Sequence, residues 1–298
     1  MKNLISVGEA MVEMSPQSLP GHFHMGFAGD TLNTAWYAIR LSPNWNVSFM
    51  TAIGRDKTSD QLVSFLADAG IDTTHVQRHD DRTIGLYMIA LEKGERHFSY
   101  WRGQSAARQL AADRARLDEA FAQADLIYFS GITLAVQEGD GRENLLAAIA
   151  AARSAGCQIV FDTNLRPALW DDNEQMCDWV SKAAEVSDMI LPSHDDEAVH
   201  FGDADPEATR DRYVAAGATT VVVKNGPRTI HYQHEGRQGV VQPAIVSDVV
   251  DTTAAGDSFN AGLLAAYVEG AAIPEAIRAA SNVARRVIKG RGALVPIK

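Results

Sequence analysis

Two carboxylates six positions apart, Asp251 and Asp257, bracket a run of small residues in the segment VDTTAAGDSFNAG, Val250 to Gly262. Ala254, Ala255 and Gly256 carry little or no side chain, which lets a phosphate come close to the backbone. A helical run follows from Phe259 to Glu269, and the unpaired N–H groups of a helix start point at an anion placed there. An acid at that spot is badly placed to bind an anion and well placed to take a proton from an attacking hydroxyl. The combination points to phosphoryl transfer to an alcohol. Asp is also a favoured helix N-cap, and Gly before a cap is ordinary turn chemistry. The second acid and the bareness of residues 254–256 weigh against that plainer reading.

Four other places carry possible chemistry. Gly29-Asp30-Thr31-Leu32-Asn33 sets a glycine and polar groups at a helix start, as a capped helix or as a ligand site. Tyr87 and the triple Tyr100-Trp101-Arg102 suit a hydroxylated acid, with Tyr bonding its hydroxyls and Arg gripping its carboxylate bidentately. Aromatic residues on a strand also serve packing alone. Asp162-Thr163-Asn164-Leu165-Arg166-Pro167 lies just past an apolar run, where ligands gather in parallel sheets; the alternative is an Asx-type turn before Pro167. Lys224-Asn225-Gly226-Pro227 is a turn at another strand end and can line a nucleotide pocket. The acidic run His194-Asp195-Asp196-Glu197 is a solvated helix start or an outer-shell Mg²⁺ anchor.

These groups need elements to position them. Short apolar runs at Leu4–Val7, Val47–Ala52, Leu126–Phe129, Gln158–Phe161, Met189–Leu191 and Thr220–Val223 read as strands. Helical periodicity covers Leu32–Leu41, Ser59–Asp68, Arg142–Ala152, Gln175–Glu185, Glu207–Ala215, Phe259–Val268 and Pro274–Ile288. The alternation predicts an α/β fold with a mainly parallel sheet covered by helices. Gly70 and Gly156 stop helices, and Asp30 with Thr31 fits the cap of the helix near Leu32. Met11–Gly29 and Thr83–Arg102 break the rhythm. The second reads as a hairpin about Glu92-Lys93-Gly94-Glu95, an insertion suited to a lid.

The chain of 298 residues is 46% hydrophobic with a formal net charge of -11. It can bury a sizeable core, and its charge disfavours a nucleic-acid surface. The start, Met1 to Glu9, reads as a first strand rather than a signal peptide, and no run is long enough to span a bilayer. Cys157 and Cys177 have no CxxC spacing, so neither a disulfide framework nor a zinc site is expected. A cytoplasmic protein that binds no membrane is the expectation. There is no GxxxxGK[ST], no GxGxxG leading from strand to helix, no HExxH and no GxSxG.

Taken together, the DTTAAGDSFNAG segment and the order Gly29–Asn33, Tyr100-Trp101-Arg102, Asp162–Pro167 resemble the ribokinase-like (PfkB) carbohydrate kinases over essentially the whole chain. The resemblance implies a ribokinase-like α/β/α single domain over 1–298, with lid segments at about 11–29 and 83–102. It implies ATP and Mg²⁺, with a monovalent cation near the anion hole in some members. Asp257 is implied as the catalytic base, and Ala254, Ala255 and Gly256 as the anion hole. The sugar-acid side is Gly29, Asp30, Asn33, Tyr87, Tyr100, Arg102, Arg166 and Asp251. The nucleotide side is Asn164, Arg166, Lys224, Gly226, Arg228, Ala254, Gly256 and Asn282. Asp196 and Glu197 are the candidate acids for the metal, through water.

The implied reaction is phosphorylation of 2-keto-3-deoxygluconate at its 6-hydroxyl. Ketodeoxygalactonate, fructose and ribose are the alternative acceptors, and a catalytically silent sugar-acid sensor is the reading from another class. An apolar lid face can pair with a second copy of the chain. Three positions depart from the family pattern: Ala254 and Ala28 stand where Gly is usual, and Ser193-His194-Asp195-Asp196 replaces Asn-x-x-Glu.

Overall fold

The computed structural model describes residues 2–92, 95–243 and 245–297. Strand β1 (Lys2–Val7) passes into a hairpin of β2 (Met11–Pro16) and β3 (Phe23–Ala28). The helix Asp30–Leu41 leads to β4 (Trp45–Ile53), and Lys57–Asp68 leads to the short β5 (Val76–Arg78). A second hairpin joins β6 (Gly85–Glu92) to β7 (Glu95–Trp101); its expected turn at Lys93-Gly94 lies outside the described residues. Strands and helices then alternate: β8 (Leu126–Ser130), helix Gly141–Ser154, β9 (Gln158–Asp162), helix Asn173–Glu185, β10 (Met189–Ile190), helix Pro206–Ala215 and β11 (Thr220–Val223). A last hairpin of β12 (Ile230–His234) and β13 (Arg237–Val241) precedes the helices Ala255–Val268 and Ile273–Val287.

The large sheet runs β13-β12-β11-β10-β9-β8-β1-β4-β5, parallel except where β12 and β13 close one edge. Its central strands are apolar on both faces because helices cover both. Along β8, Leu126 and Tyr128 join one core cluster with Phe49, Phe259, Leu263 and Ile277. Ile127 and Phe129 join the other, with Ile149, Phe161, Met176 and Val180. The two-residue period of the strand thus divides a continuous apolar run between two cores.

The second sheet runs β3-β2-β6-β7, so the two stretches that break the rhythm of the sequence pair with each other. Alternation turns Met11, Glu13, Tyr87, Phe98, Tyr100 and Arg102 to one face, where they line the cavities, with Phe98 and Tyr100 remaining 42% and 54% exposed at the open side. Three local expectations change. The cap of the first helix is Gly29 rather than Asp30 or Thr31, and no side chain caps it. A Cβ at Gly29 would lie 2.1 Å from the Glu9 carbonyl oxygen, so only glycine allows the helix start to press against the exit of β1. The later helix begins at Ala255, not after Asp257, which puts Asp257 inside its first turn. The β12–β13 hairpin has no counterpart in the sequence reading. Its turn, Glu235-Gly236, has positive φ at both residues, 49° and 78°, the geometry that suits a two-residue hairpin loop.

Candidate active site

The parallel strands β1, β9 and β11 all end on one side of the sheet, and the loops after them open into a cavity of about 820 Å³ roofed by the smaller sheet. This is the carboxyl-end position that open α/β sheets use for ligands. Asp257 lies on its wall. Asn33 holds it by donating from Nδ2 to Asp257 Oδ2 at 2.7 Å. Burial, followed by the negative charges of Asp30 and Asp162, pushes the Asp257 carboxyl up to about 8, against the hydrogen bond from Asn33 and the charge of Lys224.

Beside the acid is an amide-lined corner. Ala254 takes the left-handed conformation at φ 57° and starts the helix. Alanine pays more strain than glycine there. Ser258 N–H is bonded to the Ala254 carbonyl at 2.9 Å, and Ala255 N–H to that of Thr252 at 3.1 Å. The amides of Gly256 and Asp257, in the first turn of the helix, are donors placed to meet an anion. Of the three residues expected to form the anion hole, Gly256 supplies such a donor, Ala255 has its amide engaged, and Ala254 supplies the turn.

Behind this corner runs a buried polar network. Lys224 Nζ bonds Asp162 Oδ1 at 2.9 Å and Asn260 Oδ1 at 3.3 Å. Asn260 Nδ2 donates to Asp162 Oδ2 at 2.8 Å and to the Tyr128 hydroxyl at 2.9 Å. A Cβ added to Gly256 would be 3.8 Å from the Lys224 ammonium, so that charge stands next to the free amides. Backbone donors, an ammonium and an ionisable base at one helix start form a place to receive a transferring phosphate.

On the acceptor side, Gly29, Asp30, Asn33, Tyr87, Tyr100 and Arg102 all reach the cavity. Tyr87 and Tyr100 face each other across β6 and β7 with ring centroids 5.9 Å apart. Tyr87 donates its hydroxyl to the buried Glu13. Arg102 is already paired with Glu9, whose side chain is 1% exposed. The expected arginine is thus present at the wall, but part of its fork is occupied by Glu9, an acid that no motif in the sequence marks. Asp251, expected beside the sugar, lines the cavity with its oxygens engaged by Thr253, Gly292 and Arg96.

The nucleotide-side residues divide. Asn164, Arg166 and Lys224 line the cavity. Asn164 donates to Asp30 Oδ2 at 2.7 Å and so joins the two sides. Gly226, Arg228 and Asn282 stand outside it: Gly226 forms a turn at φ 56°, Arg228 is exposed and pairs with Asp195, and Asn282 is exposed on the helix Ile273–Val287. The two candidate metal acids also divide. Asp196 faces the cavity, where burial raises its pKa. Glu197 points the other way, accepting from Arg212 Nη2 at 2.7 Å and the Tyr213 hydroxyl at 2.9 Å. Glu197 is therefore a core acid and not a metal anchor in this cavity. Glu9 and Arg96 went unrecognised in the sequence. Arg96 was legible through strand alternation, six positions before Arg102 on the same face.

The pfkB family carbohydrate kinase model matches residues 1–298, and the chain belongs to that family. A 2-dehydro-3-deoxygluconokinase of Dickeya dadantii is 36% identical, over 100% of this chain and 98% of the relative. One from Escherichia coli K12 is also 36% identical, over 99% and 97%. A fructokinase of Xylella fastidiosa solved with bound ATP has a TM-score of 0.84 at 26% identity, covering 98% of this chain and 93% of that one.

Proposed function

We propose that the protein transfers the γ-phosphoryl group of ATP to the 6-hydroxyl of 2-keto-3-deoxygluconate. The observation that carries this reading is one cavity with Asp257 and the free amides at one end and Arg102 on the wall under the smaller sheet. The full-length relatives named 2-dehydro-3-deoxygluconokinase support the choice of acceptor. Asp257 accepts the hydroxyl proton as the oxygen attacks. The amides of Gly256 and Asp257 and the ammonium of Lys224 meet the charge that spreads over the equatorial phosphate oxygens. Arg102 takes the acid's carboxylate, and Tyr87 and Tyr100 bound the sugar chain.

Mg²⁺ supplies neutralising charge to the phosphates. Asp196 fits as its carboxylate contact through water, since Mg²⁺ keeps several waters and needs only one or two protein acids. Among the described residues no helix is long and apolar enough to cross a membrane. We place the reaction in the cytoplasm, where ATP is available.

An acceptor panel tests the reading: ketodeoxygluconate, ketodeoxygalactonate, gluconate, fructose and ribose, each with ATP·Mg²⁺ and followed by ADP release. Ketodeoxygluconate is expected to have the highest kcat/KM. A preference for fructose or ribose overturns the acceptor, and no ADP release with any of them favours a silent sensor.

We also propose that two copies pair through the outer face of the small sheet. Phe23, Met25 and Trp101 are 37%, 41% and 58% exposed there, on the face opposite the cavity. Sedimentation is expected to show a dimer for the native chain and a monomer for Met25→Lys. A native monomer at micromolar concentration rules the pairing out.

A further inference from the structure

Arg96 sits on β7 in the small sheet, yet its charged end lies on the loop before the catalytic helix. Its Nη2 is 2.6 Å from Asp251 Oδ2, and its Nη1 donates to Thr253 Oγ1 at 2.5 Å. Asp251 is the knot of that loop. Its Oδ1 accepts from the Thr253 amide at 3.0 Å and hydroxyl at 2.7 Å, and its Oδ2 from the Gly292 amide at 2.7 Å. Burial pushes the Asp251 carboxyl up, but the donors of Gly292 and Thr253 and the charge of Arg96 outweigh it and hold it below its ordinary value. The carboxylate is thus ionised and the contact with Arg96 is charge-assisted. Ala254, which sets the start of the helix through its left-handed turn, follows Thr253 directly. An apolar contact flanks the ion pair: Met11, Tyr87 and Ile89 of the small sheet pack with Ala293 and Ala254.

We propose that Arg96 is a positioning residue: carried by the lid, it docks on Asp251 and Thr253 and holds the loop that aims the Gly256 and Asp257 amides at the transferring phosphate. Arg96 touches no reacting atom. Its part is to make the placement of the phosphate-side amides depend on the lid being down over the acceptor. The proposal rests on the kinase reading given above.

The test compares the native protein with Arg96→Ala and Arg96→Lys, using ketodeoxygluconate and ATP·Mg²⁺. Loss of one charge-assisted contact is expected to lower kcat by about 10- to 100-fold. The KM values for acid and ATP are expected to move by less than about threefold, because binding contacts remain. Arg96→Lys is expected to recover part of kcat, since it restores the charge without the fork. Amide hydrogen exchange over 252–257, measured on the protein alone, is expected to be faster in Arg96→Ala. Should Arg96→Ala fold poorly, Thr253→Val removes the second docking point, and the same kcat-selective loss is expected. An unchanged kcat overturns the proposal. So does a rise confined to the KM of the acid, which makes Arg96 a substrate contact. If the native protein does not phosphorylate ketodeoxygluconate, the kinase reading fails separately. The exchange experiment still decides the docking, with equal exchange in both proteins overturning it.

Discussion

Asp257→Asn is expected to lower kcat by about 10³-fold, within the range a general base contributes, while ATP binds with nearly native affinity. Asparagine keeps the shape and still accepts from Asn33, but it cannot take the hydroxyl proton. Single-turnover kinetics with an independent nucleotide titration would check this, and near-native turnover would remove Asp257 as the base. The native pH profile carries the same information. A base works ionised, and this carboxyl is pushed up to about 8 by burial, Asp30 and Asp162. Turnover is therefore expected to rise with pH and level off above that value. The sign for stability is the reverse. The folded state keeps a proton that the unfolded chain has lost above its ordinary value of 3.8. Stability then falls as pH rises from that value to about 8, and the penalty is complete above it. Asp257→Asn removes the penalty, so its gain in Tm is expected to be larger at pH 9 than at pH 5. An equal gain at both would contradict the buried charge.

Arg102→Ala is expected to damage recognition and stability together. Truncating one partner of a buried charged contact costs about 2–5 kcal/mol, so kcat/KM for the acid is expected to fall at least about 30-fold. KM for ATP is expected to stay within about twofold, since uniform binding at a separate subsite is untouched. The same change leaves Glu9, with its side chain 1% exposed, as an uncompensated buried acid. That penalty is about 3–5 kcal/mol. Glu9→Gln combined with Arg102→Ala separates the two effects. Thermal unfolding of the double variant is expected to recover toward native, while recognition of the acid stays lost. Recovery of both would mean that Arg102 serves Glu9 and not the substrate.

How far the molecule could be read from its residues depends on how local each signal is. The runs at 126–129 and 158–161 are apolar without interruption, and a strand buried on both faces requires that. The β12 and β13 strands, Ile230–His234 and Arg237–Val241, are half polar and sit at a sheet edge, so composition does not mark them. The helix start at Ala255 is not marked in the sequence because Ala-Ala-Gly shows no amphipathic period; a tertiary turn at Ala254 defines it instead. Asp257, Asn33 and Lys224 were legible because acid, amide and ammonium stood where strands end or helices begin. The partnerships of Arg102 with Glu9 and of Arg96 with Asp251 were not. They join residues 93 and 155 positions apart: the pairing of the two hairpins into one sheet brings Arg102 to Glu9, and the meeting of that sheet with the loop before the Ala255 helix brings Arg96 to Asp251.

The buried network of Lys224, Asp162, Asn260 and Tyr128 belongs wholly to the large sheet and its helices, whereas Tyr87, Tyr100 and Arg102 hang from the small one or its end. Apart from the Arg96 dock, reaction chemistry and acceptor choice are therefore written on separable parts of the chain. Grafting β6 and β7 from a relative with another acceptor, with Arg96 kept in place, should change what is phosphorylated and leave the machinery of transfer intact. Such a boundary gives one scaffold room to diversify its diet without reinventing its catalyst.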